Sequence, residues 1–241
     1  MIDSDRAGPE ELLLRCLSAT RPPSSVTGHP TAVSRHPSST GGEPIDWNAV
    51  LTIAADHGLT PLLYKRLKES DAQALVPADV WEGLKATYVA SAVRSLHLYR
   101  ELRPVLRRLG NSDISVIVLK GAFLAEAVYS DPALRSSMAD VDIMVPREDL
   151  PKVQAVLLDM GFGPREREEI ELRCRTTKGL APFTRSGFTV EPHWNIVYPT
   201  SPFKMDIAGL WVRARPATVA GVEVLALSPE DLLLHLCLHV C

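Results

Sequence analysis

The spacing of apolar residues along the chain changes near residue 111 and separates a helical part from a mixed part. Before that point apolar residues recur every three or four positions, first in a short group at residues 10–19 and again from Asp46 to Gly110. This spacing places apolar side chains on one face of a helix, so it predicts amphipathic helices in both stretches. After Ile114 the apolar runs become short and rich in β-branched residues, which predicts strands that alternate with helices.

Short apolar runs and turn residues define the elements of the mixed part. Asp149 is the expected N-cap of one helix and Gly161 its expected exit, while Ser228-Pro-Glu-Asp231 is typical of another helix start. Arg185-Ser-Gly187 predicts the turn of a hairpin. The predicted order is a strand at 114–119, a helix at 122–129, a strand at 140–145, a helix at 149–160, a hairpin of 181–184 with 188–196, a strand at 222–227 and a helix from 228 to 241.

Composition adds a linker to this picture. Residues 20–44 consist mostly of Pro, Ser, Thr, Gly and His with almost no large apolar side chain, so they predict a disordered linker. The last helix ends on apolar residues, which predicts either a missing segment or a partner that covers it. We therefore predict five regions: an N-terminal helix at 1–19, the linker at 20–44, a helical region at 45–110, a mixed core at 111–200, and a C-terminal strand and helix at 201–241.

The overall charge narrows the classes of partner. The 241 residues include 26 Lys and Arg against 29 Asp and Glu, a net charge of -3, so no global positive field favours nucleic acid. No apolar run is long enough to span a bilayer, and the N-terminus lacks a basic leader followed by an apolar stretch. The four cysteines are scattered without a C-x-x-C pair, which is typical of free thiols. These features favour a cytoplasmic protein that binds neither membrane nor nucleic acid.

Two acidic residues in the predicted strand at 140–145 are the first candidates for chemistry. Asp140 and Asp142 alternate with Val141, Ile143 and Val145, so both carboxylates leave the same face of the strand while the apolar side chains enter a core. Two neighbouring carboxylates repel each other unless a cation lies between them. Because Mg²⁺ prefers oxygen ligands and commonly binds carboxylates together with phosphate oxygens, the pair predicts a metal-assisted phosphate site.

Two further motifs belong with this pair. Lys120-Gly121 separates a predicted strand from a predicted helix, where backbone N–H groups and a lysine favour a phosphate group, although an ordinary strand-to-helix turn has the same pattern. In the run from Phe188 to Ile196, strand parity places Glu191 and His193 on one polar face. That face could lie against the acidic pair; the alternative is an exposed amphipathic strand with a structural histidine.

Taken together, these runs resemble a known family. The motifs that carry the resemblance are Leu119-Lys-Gly-Ala-Phe-Leu-Ala125, Asp131-Pro132, Leu134-Arg135, Asp140-Val-Asp-Ile-Met-Val145, Val190-Glu-Pro-His-Trp194 and Leu227-Ser-Pro-Glu-Asp231. They look like the uncharacterised nucleotidyltransferase family of the DNA polymerase β superfold, and the resemblance covers roughly residues 45–240.

The resemblance implies an α+β fold, in which an antiparallel-leaning mixed β-sheet with flanking helices on one side follows a helical N-terminal part. It implies a Mg²⁺-dependent enzyme that moves a nucleoside monophosphate from an NTP, with ATP as the expected donor, to an unidentified small-molecule, peptide or protein acceptor and releases pyrophosphate. Carried over by position, Asp140, Asp142 and Glu191 become the catalytic acids and the ligands of a two-metal site. The implied substrate-binding residues are Lys120, Gly121, Arg135 and His193.

Departures from the family pattern keep two other interpretations open. The wider superfold usually has Gly-Ser after the first strand, whereas Lys120-Gly121 is followed here by Ala122, which has no hydroxyl group for the triphosphate. Pro192 stands beside Glu191 where a leucine is expected. A non-catalytic binding module of the same fold, antitoxin-like or accessory to a pathway, is therefore one alternative. The other is a metal-dependent phosphoester hydrolase that uses the same carboxylates.

A run of histidines and cysteines near the end of the chain is a weaker candidate. His235, Cys237, His239 and Cys241 have the spacing H-x-C-x-H-x-C, but on one continuous helix the histidines share one face and the cysteines another. All four cannot converge on one metal ion, so the sequence favours a buried apolar helix over a metal site.

Overall fold

The protein is described by a computed structural model, which covers residues 8–18, 45–129, 131–135, 138, 140–164 and 170–240. It divides into two compact units, Met1–Ala90 and Ser91–Cys241, and the division falls within one long helix. The predicted linker at 20–44 lies outside the described residues.

The first unit is built of helices, because their apolar positions meet in one hydrophobic core. Helices α1 (Pro9–Ser18), α2 (Trp47–Asp56), α3 (Thr60–Glu69) and the start of α4 (Ala78–Gly110) contribute to it, as the helical spacing predicted. The side chain of Asp46 accepts a hydrogen bond from the N–H of Ala49 (3.1 Å) and caps α2. We call this cluster the helical core; its buried members are Leu13, Val50, Ala54, Leu63, Tyr64, Leu67, Val76, Val80 and Leu84.

Helix α4, with 33 residues, is the longest of the described helices and contributes to both units. Its first turns supply Val80 and Leu84 to the helical core, and its second half supplies Leu102 and Leu106 to the second unit. None of the helices in the described ranges combines the length and the apolar character that a membrane span needs.

The second unit contains a seven-stranded sheet and the remaining helices. The strands are β1 (Ile117–Val118), β2 (Asp140–Met144), β3 (Gly163–Pro164), β4 (Phe183–Arg185), β5 (Phe188–His193), β6 (Arg215–Val219) and β7 (Val222–Ala226). The helices are α5 (Lys120–Ala127), α6 (Leu150–Asp159), α7 (Ile170–Thr176), α8 (Ile207–Arg213) and α9 (Pro229–Val240). The strand order is β3-β4-β5-β2-β1-β7-β6. The pairs β1–β7 and β2–β5 are parallel and the others antiparallel, which confirms the mixed, antiparallel-leaning sheet.

Helices cover both faces of this sheet, which corrects the expectation of helices on one side only. Side chains from α4 and α6 pack on the first face over a row of branched strand residues: Val118, Val141, Ile143 and Val190. Side chains from α8 and α9 pack on the second face over a shorter row: Ile117, Leu119 and Met144. The two cores arise because successive residues of a strand point to opposite faces of the sheet.

Most predicted elements are present, with three differences. The first strand is only two residues long, and the sequence did not predict β3, α7, α8 or β6. Asp149 precedes α6 as expected but its side chain makes no capping hydrogen bond, because a 3-10 turn at Arg147–Asp149 leads directly into the helix. The hairpin is confirmed, since Ser186 and Gly187 have positive φ values of 50° and 81° and join β4 to β5.

Candidate active site

Two parallel strands bring acidic side chains together on the second face of the sheet. The register of β2 and β5 places Asp142 beside Glu191 and Asp140 beside Thr189. Because alternate residues of both strands enter the core on the first face, these polar residues share one side. Pro192 keeps its place in this register and does not move Glu191 away from Asp142.

Asp142 lies at the centre of this group and is 7% exposed. Its Oδ1 is 2.7 Å from Nε2 of His193, and its Oδ2 pairs with Nζ of Lys120 at 2.9 Å. Burial raises the pKa of Asp142, but the hydrogen bond and the electrostatic attraction of His193 and Lys120 together hold this pKa well below its ordinary value. Asp142 is therefore ionised at neutral pH. Since an ionised carboxylate only accepts hydrogen bonds, Nε2 of His193 carries the donated proton.

The loop before β4 packs against His193. Gly179 forms a β-bridge with His193, and the N–H of Leu180 donates to the carbonyl oxygen of Pro192 (2.8 Å). A Cβ atom at Gly179 would collide with that carbonyl oxygen and lie 2.9 Å from Nδ1 of His193, so a glycine is required for this close approach. Nδ1 of His193 is buried and has no hydrogen-bond partner among the described residues.

Glu191 lies beside Asp142 but in the opposite electrostatic environment. It is half-buried, and its Oε2 lies 3.7 Å from Nε2 of His193. Burial and the negative charges of Asp142 and Asp140 raise the pKa of Glu191 above its ordinary value. A cation bound between these carboxylates would remove the repulsion.

Three side chains offer ligand atoms close enough to hold one metal ion. The donor atoms of Asp142, Glu191 and His193 lie within 4.8 Å of one another. Asp140 is on the same face, but its exposed carboxylate is not part of that group as far as the described residues show. The group therefore contains Asp142 and Glu191, two of the three acids predicted to be metal ligands. It also contains His193, which was predicted to bind substrate.

The start of α5 lies next to the acidic group, because the N–H of Leu119 donates to the carbonyl oxygen of Asp142 (3.0 Å). Lys120, the first residue of α5, has a positive φ of 31°, which is strained for a lysine. A Cβ atom at Gly121 would lie 3.9 Å from Nε of Arg135, so Arg135 is adjacent to the first turn of α5. Nε of Arg135 is buried without a hydrogen-bond partner in the described ranges. The structure thus brings the three predicted substrate-binding residues of this segment to one side of the site.

Lys178 lies beside the site although the sequence did not indicate it. This residue follows α7 and is half-buried. Burial and the positive charge of Lys120 lower the pKa of Lys178, while Asp142 and Glu191 act in the opposite direction. The bridge between the adjacent Gly179 and His193 places the backbone of Lys178 at this end of β5, beside the site whose charges act on its pKa.

Helix α9 presents two histidines to the same charges. His235 is 2% exposed, and neither of its ring nitrogens has a hydrogen-bond partner among the described residues. Burial, followed by the charges of Lys120 and Lys178, lowers the pKa of His235 to about 4 and also lowers the pKa of His239. The prediction of a buried apolar helix is wrong for one face of α9, where Leu233 and Leu234 are 64% and 45% exposed, and the buried face contains His235. The available signal was the four-residue spacing of the two histidines, which places them on one helix face.

The comparison with known families gives the class of the protein. The model of the uncharacterised nucleotidyltransferase family matches residues 43–241. The chain belongs to this family. Family membership gives the general class, a nucleotidyltransferase, and agrees with the mixed sheet and the helical N-terminal part described above.

Solved structures of nucleotidyltransferases are similar to this family member over somewhat more than half of the chain. The solution structure of the antibiotic-resistance factor ANT(2'')-Ia is 12% identical, with a TM-score of 0.40, and the match covers 57% of this chain and 69% of that one. The crystal structure of ANT(2'')-Ia with adenylyl-2''-tobramycin is 13% identical, with a TM-score of 0.40 and coverage of 59% and 75%. A protein from Thermotoga maritima described as a nucleotidyltransferase is 17% identical, with a TM-score of 0.40 and coverage of 58% and 84%. No curated protein matches the sequence.

Proposed function

We propose that this protein is a Mg²⁺-dependent nucleotidyltransferase that transfers a nucleoside monophosphate from an NTP to an acceptor and releases pyrophosphate. ATP is the expected donor. One observation carries the proposal: the register of β2 and β5 joins Asp142, Glu191 and His193 in a group whose donor atoms lie within 4.8 Å of one another. Membership of the nucleotidyltransferase family supports the same class of reaction.

The residues of this group suit a divalent cation. Ligand atoms around one Mg²⁺ lie about 3–4 Å apart, because each metal–oxygen bond is about 2.1 Å long. Nε2 of His193 lies 2.7 Å from Oδ1 of Asp142 and 3.7 Å from Oε2 of Glu191, which is in or near this range. The carboxylates favour Mg²⁺, and an imidazole ligand would also accommodate Mn²⁺ or Zn²⁺. The exposed carboxylate of Asp140 on the same face is available to a second ion of the expected two-metal arrangement.

The acidic residues would divide the work of transfer. Bound metal ions would polarise the α-phosphate and stabilise the negative charge on the departing pyrophosphate. The ionised carboxylate of Asp142 would hold the metal ion, and His193 would join it as a ligand once Nε2 gives up the proton that it donates to Asp142 in the metal-free protein. Within the described residues Glu191 makes no close ion pair with Lys120, whereas Lys120 and His193 bind both carboxylate oxygens of Asp142, so Glu191 is the acid better placed to take the proton from an acceptor hydroxyl.

The basic residues would bind the phosphate groups. Lys120 pairs with Asp142, and a cation that binds this carboxylate would compete with it and release its ammonium group for the triphosphate. Arg135 lies beside the first turn of α5, and its guanidinium group can donate two parallel hydrogen bonds to phosphate oxygens. The N–H groups around Gly121, at the positive end of the helix dipole, would add to this binding.

The acceptor is proposed to be a small molecule, a peptide or a protein. A nucleic-acid acceptor would be expected to require a stripe of basic side chains that neutralises several phosphates. The net charge of the chain is -3, which does not favour such a partner.

A labelled-nucleotide assay tests the proposed function. The purified protein is incubated with Mg²⁺, each NTP labelled at its α-phosphate, and fractionated cell extract; an acceptor-dependent labelled product and pyrophosphate are expected. D142N and E191Q should lower the rate by about a thousandfold, because each removes a proposed metal ligand. E148Q makes the same change of charge at an exposed glutamate and should leave the rate unchanged. Unaltered turnover in D142N, with its fold intact by circular dichroism, would overturn the proposal.

A second candidate is the non-catalytic binding module of the same fold. It is favoured by the fact that Lys120 and His193 already satisfy both carboxylate oxygens of Asp142, and by Ala122, which has no hydroxyl group for a triphosphate. Calorimetric titration with Mg²⁺ and each NTP separates the two functions. Heat of NTP binding that depends on Mg²⁺ supports the transferase. The absence of any heat with every NTP supports the module.

A further inference from the structure

Lys178 is held at the edge of the site by its backbone. Its carbonyl oxygen accepts hydrogen bonds from the N–H groups of Trp194 (2.9 Å) and Asn195 (3.1 Å), directly after the last residue of β5. The side chain is half-buried and lies within electrostatic reach of Asp142 and Glu191. The position of Lys178 is therefore tied to the strand that carries one of the proposed metal ligands.

The ammonium group of Lys178 forms neither an ion pair nor a hydrogen bond within the described part of the chain. It lies 5.7 Å from the centroid of the Tyr198 ring, within the range of a cation–π contact. Lys120, in contrast, pairs with Asp142 at 2.9 Å. The aromatic ring offsets only part of the cost of partial burial, because it attracts a cation more weakly than an anionic acceptor at hydrogen-bond distance does. A ligand that brings an anion would supply the missing partner.

Two ammonium groups therefore act on one site. The positive charge of Lys120 repels that of Lys178, and both lysines interact with Asp142. When a metal ion takes this carboxylate, as proposed above, both lysines lose an attractive charge. An anion placed between two such groups stabilises both of them, and a chain of phosphates provides several anionic oxygens.

We propose that Lys178 binds the phosphate groups of the nucleotide together with Lys120, and is therefore a substrate-binding residue. This inference rests on the proposed function, because it takes the ligand to be a nucleoside triphosphate and assigns the carboxylates to metal ions. It adds a third cation, from a different part of the chain, to the phosphate contacts proposed for Lys120 and Arg135. The triphosphate would then be bound from the start of α5 on one side and from the loop before β4 on the other.

The alternative role for Lys178 is that of a structural counter-ion for Asp142 and Glu191. The two roles predict opposite effects on the ligand-free protein. If Lys178 has a structural role, its removal leaves the negative charges of the two carboxylates less well compensated and lowers the melting temperature. If Lys178 binds the ligand, its removal takes away a half-buried charge that has no anionic acceptor at hydrogen-bond distance. The melting temperature then stays the same or rises.

Calorimetric binding of a non-hydrolysable ATP analogue in the presence of Mg²⁺ tests the inference on the full chain. K178M should weaken the affinity for the analogue by about ten- to a hundredfold, whereas K178R should weaken it by no more than about fivefold because the charge remains. K178M should leave the affinity for AMP almost unchanged, because AMP lacks the β- and γ-phosphates. K152M removes an exposed lysine on α6 and is the matched control, with no change expected for either ligand.

Three other outcomes of these binding measurements would overturn the inference. If the wild-type protein binds the analogue and K178M binds it equally well, the inference is overturned while the proposed function stands. If K178M loses affinity for AMP and for the analogue to the same extent and melts at a lower temperature, Lys178 has a structural role and the inference is overturned. If the wild-type protein itself binds neither the analogue nor any natural NTP, both the inference and the proposed function are overturned.

Discussion

At the scale of single residues, the neighbours of Asp142 and Glu191 give these two acids different properties. They stand side by side on parallel strands, but Asp142 is bonded to His193 and Lys120, whereas Glu191 faces the negative charges of Asp142 and Asp140. The pKa of Asp142 is lowered and the pKa of Glu191 is raised. Environments that separate the pKa values of two acids allow one to stay ionised while the other exchanges protons.

We expect D140N to lower the pKa of Glu191 in the metal-free protein. Burial is the largest cause of the raised pKa, and the charges of Asp142 and Asp140 add to it, so removal of one charge reduces the shift without abolishing it. Carbon NMR titration of the Glu191 carboxyl group in chelator-treated protein measures the change. E148Q, which alters an exposed acid elsewhere, should leave this pKa where it is. An identical pKa in D140N and in the wild type would contradict the prediction.

The raised pKa of Glu191 also fixes the direction of its effect on stability. The folded protein binds this proton more tightly than the unfolded chain, in which the pKa is near the ordinary value of 4.5. The contribution to stability is therefore fully present below about pH 4.5 and is lost as the pH rises through the folded-state pKa. Metal binding between the carboxylates would reverse this pH dependence, because it favours the ionised form of Glu191.

Strand parity accounts for the part of the site that the sequence could indicate. The alternation of side chains along β2 and β5 depends only on local spacing, so it was enough to place Asp142, Glu191 and His193 on polar strand faces. Lys178 and His235 could not be found in this way. They reach the same site from a loop and from a helix that packs on the sheet from elsewhere in the chain, and no sequence period relates them to β2.

At the scale of elements, the turns that follow the usual residue preferences were predictable and those that depart from them were not. Ser186-Gly187 joins β4 to β5 and contains the expected glycine, whereas Ala220-Gly221 joins β6 to β7 with an alanine at a positive φ of 54°. Alanine rarely adopts this conformation, so the turn gave little signal. Strand β6 itself, Arg-Pro-Ala-Thr-Val, is mostly exposed and contains a proline and one large aliphatic residue, as an edge strand can. Its pairing with β7, rather than its own composition, makes it a strand.

The cap of α9 offers a test at this scale. The hydroxyl group of Ser228 accepts a hydrogen bond from the N–H of Asp231 (3.2 Å) and donates one to its carboxylate (2.8 Å), and Arg213 binds the same carboxylate through two nitrogens. We expect S228A to lower the free energy of unfolding by about 1 kcal/mol, because it leaves an N–H group at the helix start without its acceptor.

Urea unfolding of the second unit measures this effect. S228T keeps a hydroxyl group that can cap the helix, so it should keep most of the stability that S228A loses. It therefore serves as the control. Equal stability of S228A and the wild-type protein would show that the N–H group finds another partner. An equal loss in S228A and S228T would show that the size of the side chain, rather than its hydroxyl group, matters at this position.

At the scale of the whole molecule, three hydrophobic clusters account for the α+β architecture. The helical core lies in the first unit, and the other two clusters lie on opposite faces of the sheet in the second. The family match begins at residue 43 and so leaves out α1, yet Leu13 of α1 is 3% exposed within the helical core. The helical core therefore includes a residue that the family pattern does not cover.

We expect L13A to lower the stability of the first unit by about 2–5 kcal/mol, because it removes buried methyl groups and leaves a cavity in the helical core. The side chains proposed to bind metal and nucleotide all belong to the second unit, whose clusters do not contain Leu13. The affinity for the ATP analogue should therefore stay within about twofold of the wild-type value, as is usual for sites without shared contacts. L75A, which truncates a leucine that is 55% exposed, should change stability by less than about 0.5 kcal/mol.

The four tryptophans allow the two units to be followed separately in urea. Trp47 and Trp81 pack against the helical core, whereas Trp194 and Trp211 pack against the clusters of the second unit. In variants that retain only one of these pairs, L13A should move the transition reported by the first pair to lower urea and leave that of the second pair in place. If both transitions move together and the nucleotide affinity falls with them, α4, which supplies residues to both units, couples their folding, and the expected independence is wrong.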